Sequence, residues 1–78
     1  MTGKERKEII LRISERHKAC RNNYLASGSS HERGMAFGNM IGIEWTAIVV
    51  GLNALANDLA DLRSLECKAL NNQSGVAA

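Results

Sequence analysis

The fold is decided by residues 34–65, which read GMAFGNMIGIEWTAIVVGLNALANDLADLRSL. Large apolar residues recur in this stretch with alternating steps of four and three, at Ile41, Trp45, Ile48, Leu52, Leu55, Leu59 and Leu62. Such steps are typical of a helix that packs along its length against other helices at a shallow angle. The one cluster of β-branched residues, 48–50, falls inside the same pattern, so the stretch predicts a single long helix rather than strands.

Three glycines begin this helix on one side. Gly34, Gly38 and Gly42 are four residues apart, and glycines with this spacing let a second helix backbone approach closely. Together with the apolar steps, they predict an oligomer interface along the long helix. The residues of that interface are Gly34, Gly38, Ile41, Gly42, Trp45, Ile48, Leu52, Leu55, Leu59 and Leu62.

Two capping sequences mark where helices begin. Thr2 is followed by Glu5, and Ser29 by Glu32, with the spacing of the capping box. They predict a first helix over about residues 3–25 and a second over about 30–70. Gly28, in the loop between them, is expected to take the left-handed conformation that ends helices. A loop this short predicts that the two helices form an antiparallel hairpin.

The two predicted helices differ in length, because at 1.5 Å per residue the first measures roughly 36 Å and the second roughly 60 Å. The first helix would leave Leu59, Leu62 and Leu65 uncovered. Either a partner chain covers them, or the long helix breaks near residues 51–53 and a third helix folds back. We favour the partner, since the apolar steps continue in phase across Asn53. The prediction is an all-α, single-domain hairpin over residues 1–70 that oligomerises into a helical bundle, as a dimer or larger assembly, with a flexible tail at 71–78.

The composition of the chain indicates the cellular compartment in which it would function. It has 78 residues, a formal net charge of +2, two cysteines and no apolar signal segment near its start. These features predict a reduced protein of the cytoplasm. Residues 35–56 are long enough to cross a bilayer, but Glu44 would be costly inside one, so a membrane role is not favoured. We expect Glu44 to be buried in protein instead, paired with Arg12 or Arg16 of the first helix.

The sequence does not predict an enzyme. His17 and Cys20 share a helix face, but both lie on the apolar stripe of the first helix, and two ligands do not complete a closed zinc site. The dipeptide His31-Glu32 is not followed by the second histidine of a zinc protease motif, and there is no phosphate-binding glycine loop or dinucleotide fingerprint. We therefore predict no catalytic residue, no metal and no cofactor.

Two groups of residues could instead bind partners. The backbone N–H groups that open the second helix form a candidate site for an anion or a phosphorylated small molecule, together with Arg21, Ser29, Ser30, His31 and Arg33. The basic side chains of the first helix form a candidate partner-binding face, made of Arg6, Lys7, Arg12, Arg16 and Lys18. Glutamates interrupt that face and no aromatic stacking platform accompanies it, so a protein partner is favoured over nucleic acid.

In general build the chain resembles the small helical proteins that bacteriophages use against host systems: anti-CRISPR proteins, quorum-sensing anti-activators and hairpin sponges for cyclic-nucleotide signals. The resemblance rests on the length, the two capped helices, the glycine run and the apolar segment 44–47. It implies a non-catalytic oligomer in the host cytoplasm that binds and inhibits a host protein or complex. The alternatives are a sponge for a phosphorylated or cyclic-nucleotide signal and a basic accessory protein on nucleic acid.

Overall fold

The computed structural model describes the backbone of residues 2–77 and the side chains of residues 2–70. Three helices make up nearly all of it: α1 (Gly3–Ala26), α2 (Ser30–Val49) and α3 (Asn53–Ala77). Within the described backbone there is no strand, and the all-α prediction is confirmed. Since α3 is assigned through Ala77, it includes most of the predicted tail, whose side chains lie outside the described residues.

Both predicted helix starts are confirmed. The Thr2 hydroxyl accepts a hydrogen bond from the backbone N–H of Glu5 at 3.1 Å and donates one to the Glu5 carboxylate. The Ser29 hydroxyl accepts from the N–H of Glu32 at 3.0 Å. These bonds satisfy N–H groups that have no partner inside a helix.

The prediction of an unbroken second helix is wrong, because the chain turns at residues 50–52. Gly51 has a φ of 84°, and it is the only glycine among the described residues in the left-handed region, so Gly28 does not take the expected conformation. The N–H of Leu52 donates to the carbonyl of Ala47 at 2.8 Å, and that of Gly51 donates to Ile48 at 3.0 Å. These two bonds form a Schellman motif, which ends a helix at a glycine. Its usual apolar contact is present, since Ala47 and Leu52 share one buried cluster.

Leu52 also begins the next helix, because its carbonyl accepts from the N–H of Ala56 at 3.0 Å. With α3 folded back, each helix contacts the other two and the molecule is a rod of 50 × 18 × 17 Å. Packing of α3 against α1 and α2 buries Leu52 and Leu59, each only 3% exposed. Leu62 and Leu65 remain exposed. The break that the sequence analysis kept as its second choice therefore covers part of the apolar surface without a partner.

Two apolar clusters hold the bundle together. One is made of Tyr24, Ala36, Met40 and Cys67, and the other of Ala47, Leu52 and Ala56, with isoleucines of α1 packed against it. The first cluster contains residues from the C-terminal half of α1, and the second cluster is packed against residues from the N-terminal half of α1. Along α2 the order is reversed. The middle of the rod, between the two clusters, is occupied by charged side chains.

Candidate functional site

A buried charged network joins all three helices at the middle of the rod. His17 of α1 is fully buried, and Glu44 of α2 is 7% exposed. The ring Nε2 of His17 lies 2.9 Å from Oε2 of Glu44. Arg63 of α3 binds the same carboxylate twice, through Nε at 2.8 Å and through a terminal nitrogen at 3.2 Å. Glu44 is therefore paired with His17 and Arg63, and the expected pairing with Arg12 or Arg16 is wrong.

The partners of His17 determine its protonation. Its Nδ1 faces a terminal nitrogen of Arg21, and a guanidinium has donors only, so Nδ1 accepts. Nε2 then carries the ring proton and donates to Glu44. Arg21 also forms an ion pair with Glu66 of α3. A neutral histidine thus stands between two arginine–glutamate pairs, and the formal charges of the five side chains cancel.

The pairing of these side chains is typical of a network that stabilises the arrangement of helices. A buried charge is tolerated when its partners and hydrogen bonds are supplied, and removing one partner leaves the others uncompensated. The guanidinium of Arg63 additionally lies 4.9 Å from the centre of the Phe37 ring, a cation–π contact between α3 and α2. Nearby, burial raises the pKa of the Cys67 thiol, against a smaller opposing effect of the Arg63 charge. We expect this network to fix how the three helices align along the rod.

The predicted anion site is not assembled as expected. Arg21 points into the buried network instead of toward the loop, and His31 is exposed. In the loop, the hydroxyl of Ser27 accepts from the N–H of Ser29 at 3.2 Å and donates to the Glu32 carboxylate at 3.0 Å. The Glu32 carboxylate therefore sits at the start of α2, where an anionic ligand would have to bind. Ser30 and Arg33 lie in the first turn of the same helix, at the surface or half-buried.

The predicted basic face of α1 is divided between two sides of the bundle. Arg12 and Arg16 line a groove between α1 and α2, whose floor includes Ile13 and Ile43. Lys18 lines a groove between α1 and α3. Arg6 and Lys7 are exposed near the start of the helix. These five side chains do not form one continuous positive surface.

The predicted oligomer interface is divided too. Leu52 and Leu59 belong to the buried interior and Leu55 is half-buried, so the part of the interface that lies beyond Gly51 is largely covered by the chain itself. The part on α2 remains open. Trp45 is 62% exposed and Ile48 45%, while a Cβ added at Gly34, Gly38 or Gly42 would meet no atom within 4 Å.

We call this open surface the outer face of α2. Its residues are Gly34, Met35, Gly38, Ile41, Gly42, Trp45, Ile48 and Val49, of which Ile41 is half-buried and the others are exposed. Met35 and Val49, which are 58% and 79% exposed, were not predicted to belong to the interface. The steps that would have found Val49 are those from Gly38 to Gly42, Trp45 and Val49, which run four, three and four. The apolar steps toward Leu52 hid this second line.

The outer face carries no charge. Between Gly34 and Val49 the only charged residue is Glu44, and that side chain is buried against α1 and α3. None of the described helices is both long and apolar enough to cross a membrane. Within the described residues, no three side chains of histidine, cysteine, aspartate or glutamate are grouped to hold a metal ion.

Comparisons with known proteins add no relative. The chain matches no protein-family model, and neither the curated proteins nor the solved structures give a match.

Proposed function

We propose that this protein is a non-catalytic binding protein that acts by docking another protein chain on the outer face of α2. The observation that supports this most directly is Trp45, a large aromatic side chain that is 62% exposed in the middle of an uncharged helix surface. Contiguous exposed apolar surface commonly marks a protein-binding site, and tryptophan is among the residues that contribute most to such interfaces.

The rest of the molecule supports a scaffold role. We infer that α1 and α2 form an antiparallel hairpin, because their contacts with the two apolar clusters run in opposite order. The paired network of His17, Glu44 and Arg63 ties α3 to that hairpin. A rigid scaffold favours binding, since less conformational freedom is lost when the partner docks.

The setting that we propose follows the resemblance in build. A phage-encoded protein of this kind would work in the host cytoplasm, as an oligomer that binds and inhibits a host protein or complex. The sponge for a phosphorylated signal has less support, because the Ser27 hydroxyl and the N–H groups of Ser29 and Glu32 already donate to acceptors within the loop and the first turn of α2.

Photo-crosslinking tests the proposal. A photoreactive amino acid replaces Val49, on the outer face, and in a matched variant replaces Leu11, which is 57% exposed on α1. After irradiation in cells that produce the protein, we expect a protein–protein product from position 49 that disappears when Trp45 is also changed to alanine. Position 11 should give no such product. Equal products from both positions, or none from position 49, would contradict the proposal.

A further inference from the structure

The large and small residues of the outer face of α2 are arranged so that the same face of a second copy can pack against them. Gly38 and Trp45 are seven residues apart, so both lie on nearly the same line along the helix. Gly34 and Val49 extend that line at its two ends. Along this line the N-terminal half of the face presents glycines and the C-terminal half presents bulky apolar side chains, while Met35 and Ile41 lie to either side of the glycines.

We infer that the chain docked on this face is a second copy of the same protein, related by a two-fold axis beside Ile41 and Gly42. This inference rests on the proposed function, because it names the occupant of the same surface. In an antiparallel pair of α2 helices about such an axis, Trp45 lies opposite the partner subunit's Gly38. Val49 lies toward the partner subunit's Gly34, and by symmetry each contact occurs twice.

The space over the glycines favours this arrangement. A Cβ at Gly38 would have no atom within 4 Å, so the chain itself leaves the space above that glycine empty. A glycine on a helix surface offers a shallow depression that a facing side chain can fill, and it lets the two backbones approach closely. Trp45 provides a side chain large enough to fill it.

Charge also favours a second copy over a differently built partner. A two-fold interface brings each residue near its own symmetry mate or a neighbour, so a charged face would repel itself. The outer face of α2 carries no charge from Gly34 to Val49, because Glu44 points inward to His17 and Arg63. Arg16 of α1 lines the groove beside Gly38 and Gly42, which disfavours a basic partner there, whereas the uncharged side chains of an identical face fit over the glycines.

Exchanging the large and the small residue tests the inference. Sedimentation velocity over a range of concentrations is measured for the wild type, Trp45→Gly, Gly38→Trp and the double variant carrying both changes. We expect a dimer for the wild type and monomers for both single variants. The double variant should dimerise again, because the tryptophan and the glycine have exchanged places across the same axis. Circular dichroism verifies that each variant is folded; a Cβ added at Gly38 meets no atom within 4 Å, so a side chain can leave the helix there without displacing the backbone.

Leu11→Trp is the matched control, since it adds a tryptophan at an exposed position of α1 and should leave the dimer intact. A wild type that stays monomeric at every concentration would overturn the inference, as would a Gly38→Trp variant that still dimerises through α2. If the wild type is monomeric but the photoreactive amino acid at position 49 still crosslinks to a different protein, the proposed function stands and only the second copy is rejected. A monomer without any crosslink rejects both.

Discussion

Glu44 and Trp45 are neighbours in the sequence, yet they occupy opposite environments. The charged residue is 7% exposed and the aromatic residue is 62% exposed, the reverse of what residue type alone suggests. Glu44 can be buried because His17 and Arg63 supply its carboxylate with three hydrogen bonds. Trp45 has no such partner within the described part of the chain. The inner face of α2, which carries Ala36, Met40, Glu44 and Ala47, is buried within one chain, whereas the outer face is open.

That difference assigns folding to one face of α2 and association to the other. A buried charge whose hydrogen-bonding partners are supplied favours one arrangement of the helices. An exposed apolar side chain contributes favourable free energy only when another surface covers it. Substitutions on the inner face should therefore change folding. Substitutions on the outer face should change association while leaving the fold of one chain intact.

The largest effect on folding should come from Glu44→Ala. The variant leaves the half-buried Arg63 and the buried ring N–H of His17 without their acceptor, and breaking a buried charge network in this way costs as much as about 3–5 kcal/mol. Urea unfolding followed by circular dichroism measures the loss. Glu44→Gln keeps an acceptor oxygen and should lose less. Equal stability of Glu44→Ala and the wild type would show that the network does not hold the helices.

A smaller effect is expected for His17→Leu, which removes one donor and one acceptor from the middle of the network. Leaving buried polar groups unsatisfied costs about 1–3 kcal/mol. His17→Gln is the informative comparison, since a glutamine amide also offers one donor and one acceptor. Urea unfolding should therefore place His17→Gln between His17→Leu and the wild type. A glutamine variant as unstable as the leucine variant would contradict the assignment of a neutral histidine.

Gly51→Ala should act through the turn that brings α3 against the inner face. A left-handed conformation costs a residue with a side chain roughly 1–2 kcal/mol relative to glycine. The φ of 84° at Gly51 places it in that region. Thermal unfolding compares this variant with Gly28→Ala, whose glycine has open space and no positive φ. The control should change stability by less than about 0.5 kcal/mol. Equal effects at both glycines would argue against the Schellman motif.

The smallest effect on the fold should come from Trp45→Ala. Since the side chain is mostly exposed, its loss should change the stability of a single chain by no more than about 0.5 kcal/mol. The measurement is urea unfolding at concentrations low enough to keep the protein monomeric. A loss comparable to that of Glu44→Ala would place Trp45 in the core and remove the contrast between the two faces.

The sequence was informative about the parts of the fold that depend on local chemistry. Thr2 with Glu5 and Ser29 with Glu32 correctly located two helix starts, because a capping bond involves only residues three positions apart. The break of the long helix at Gly51 was harder to predict. The apolar steps from Ile48 to Leu52 and Leu55 continue across it in phase, and both a long helix and a turned chain can use those same leucines. Only the packing of α3 against α1 and α2 decides between them.

The candidate site was predicted in part, for a related reason. The glycine run and Trp45 were assigned to an interface from their spacing alone, and both are open on the outer face of α2. Glu44 was expected inside the protein, but its partner was not found, because Arg63 lies nineteen positions away on a helix whose direction depends on the turn. Arg21 was assigned to the loop, since nothing in its spacing revealed Glu66 across the bundle.

Fluorescence of Trp45 is the most direct test of the central claim that the outer face of α2 is an interface. The chain contains one tryptophan, so the emission spectrum reports on this face alone. We predict that emission moves to shorter wavelength as protein concentration rises, because Trp45 leaves water when the second chain covers it. Gly38→Leu, which fills the opposing depression, should abolish the shift. Emission typical of an exposed tryptophan at every concentration, in both proteins, would contradict the proposal of a second copy on this face.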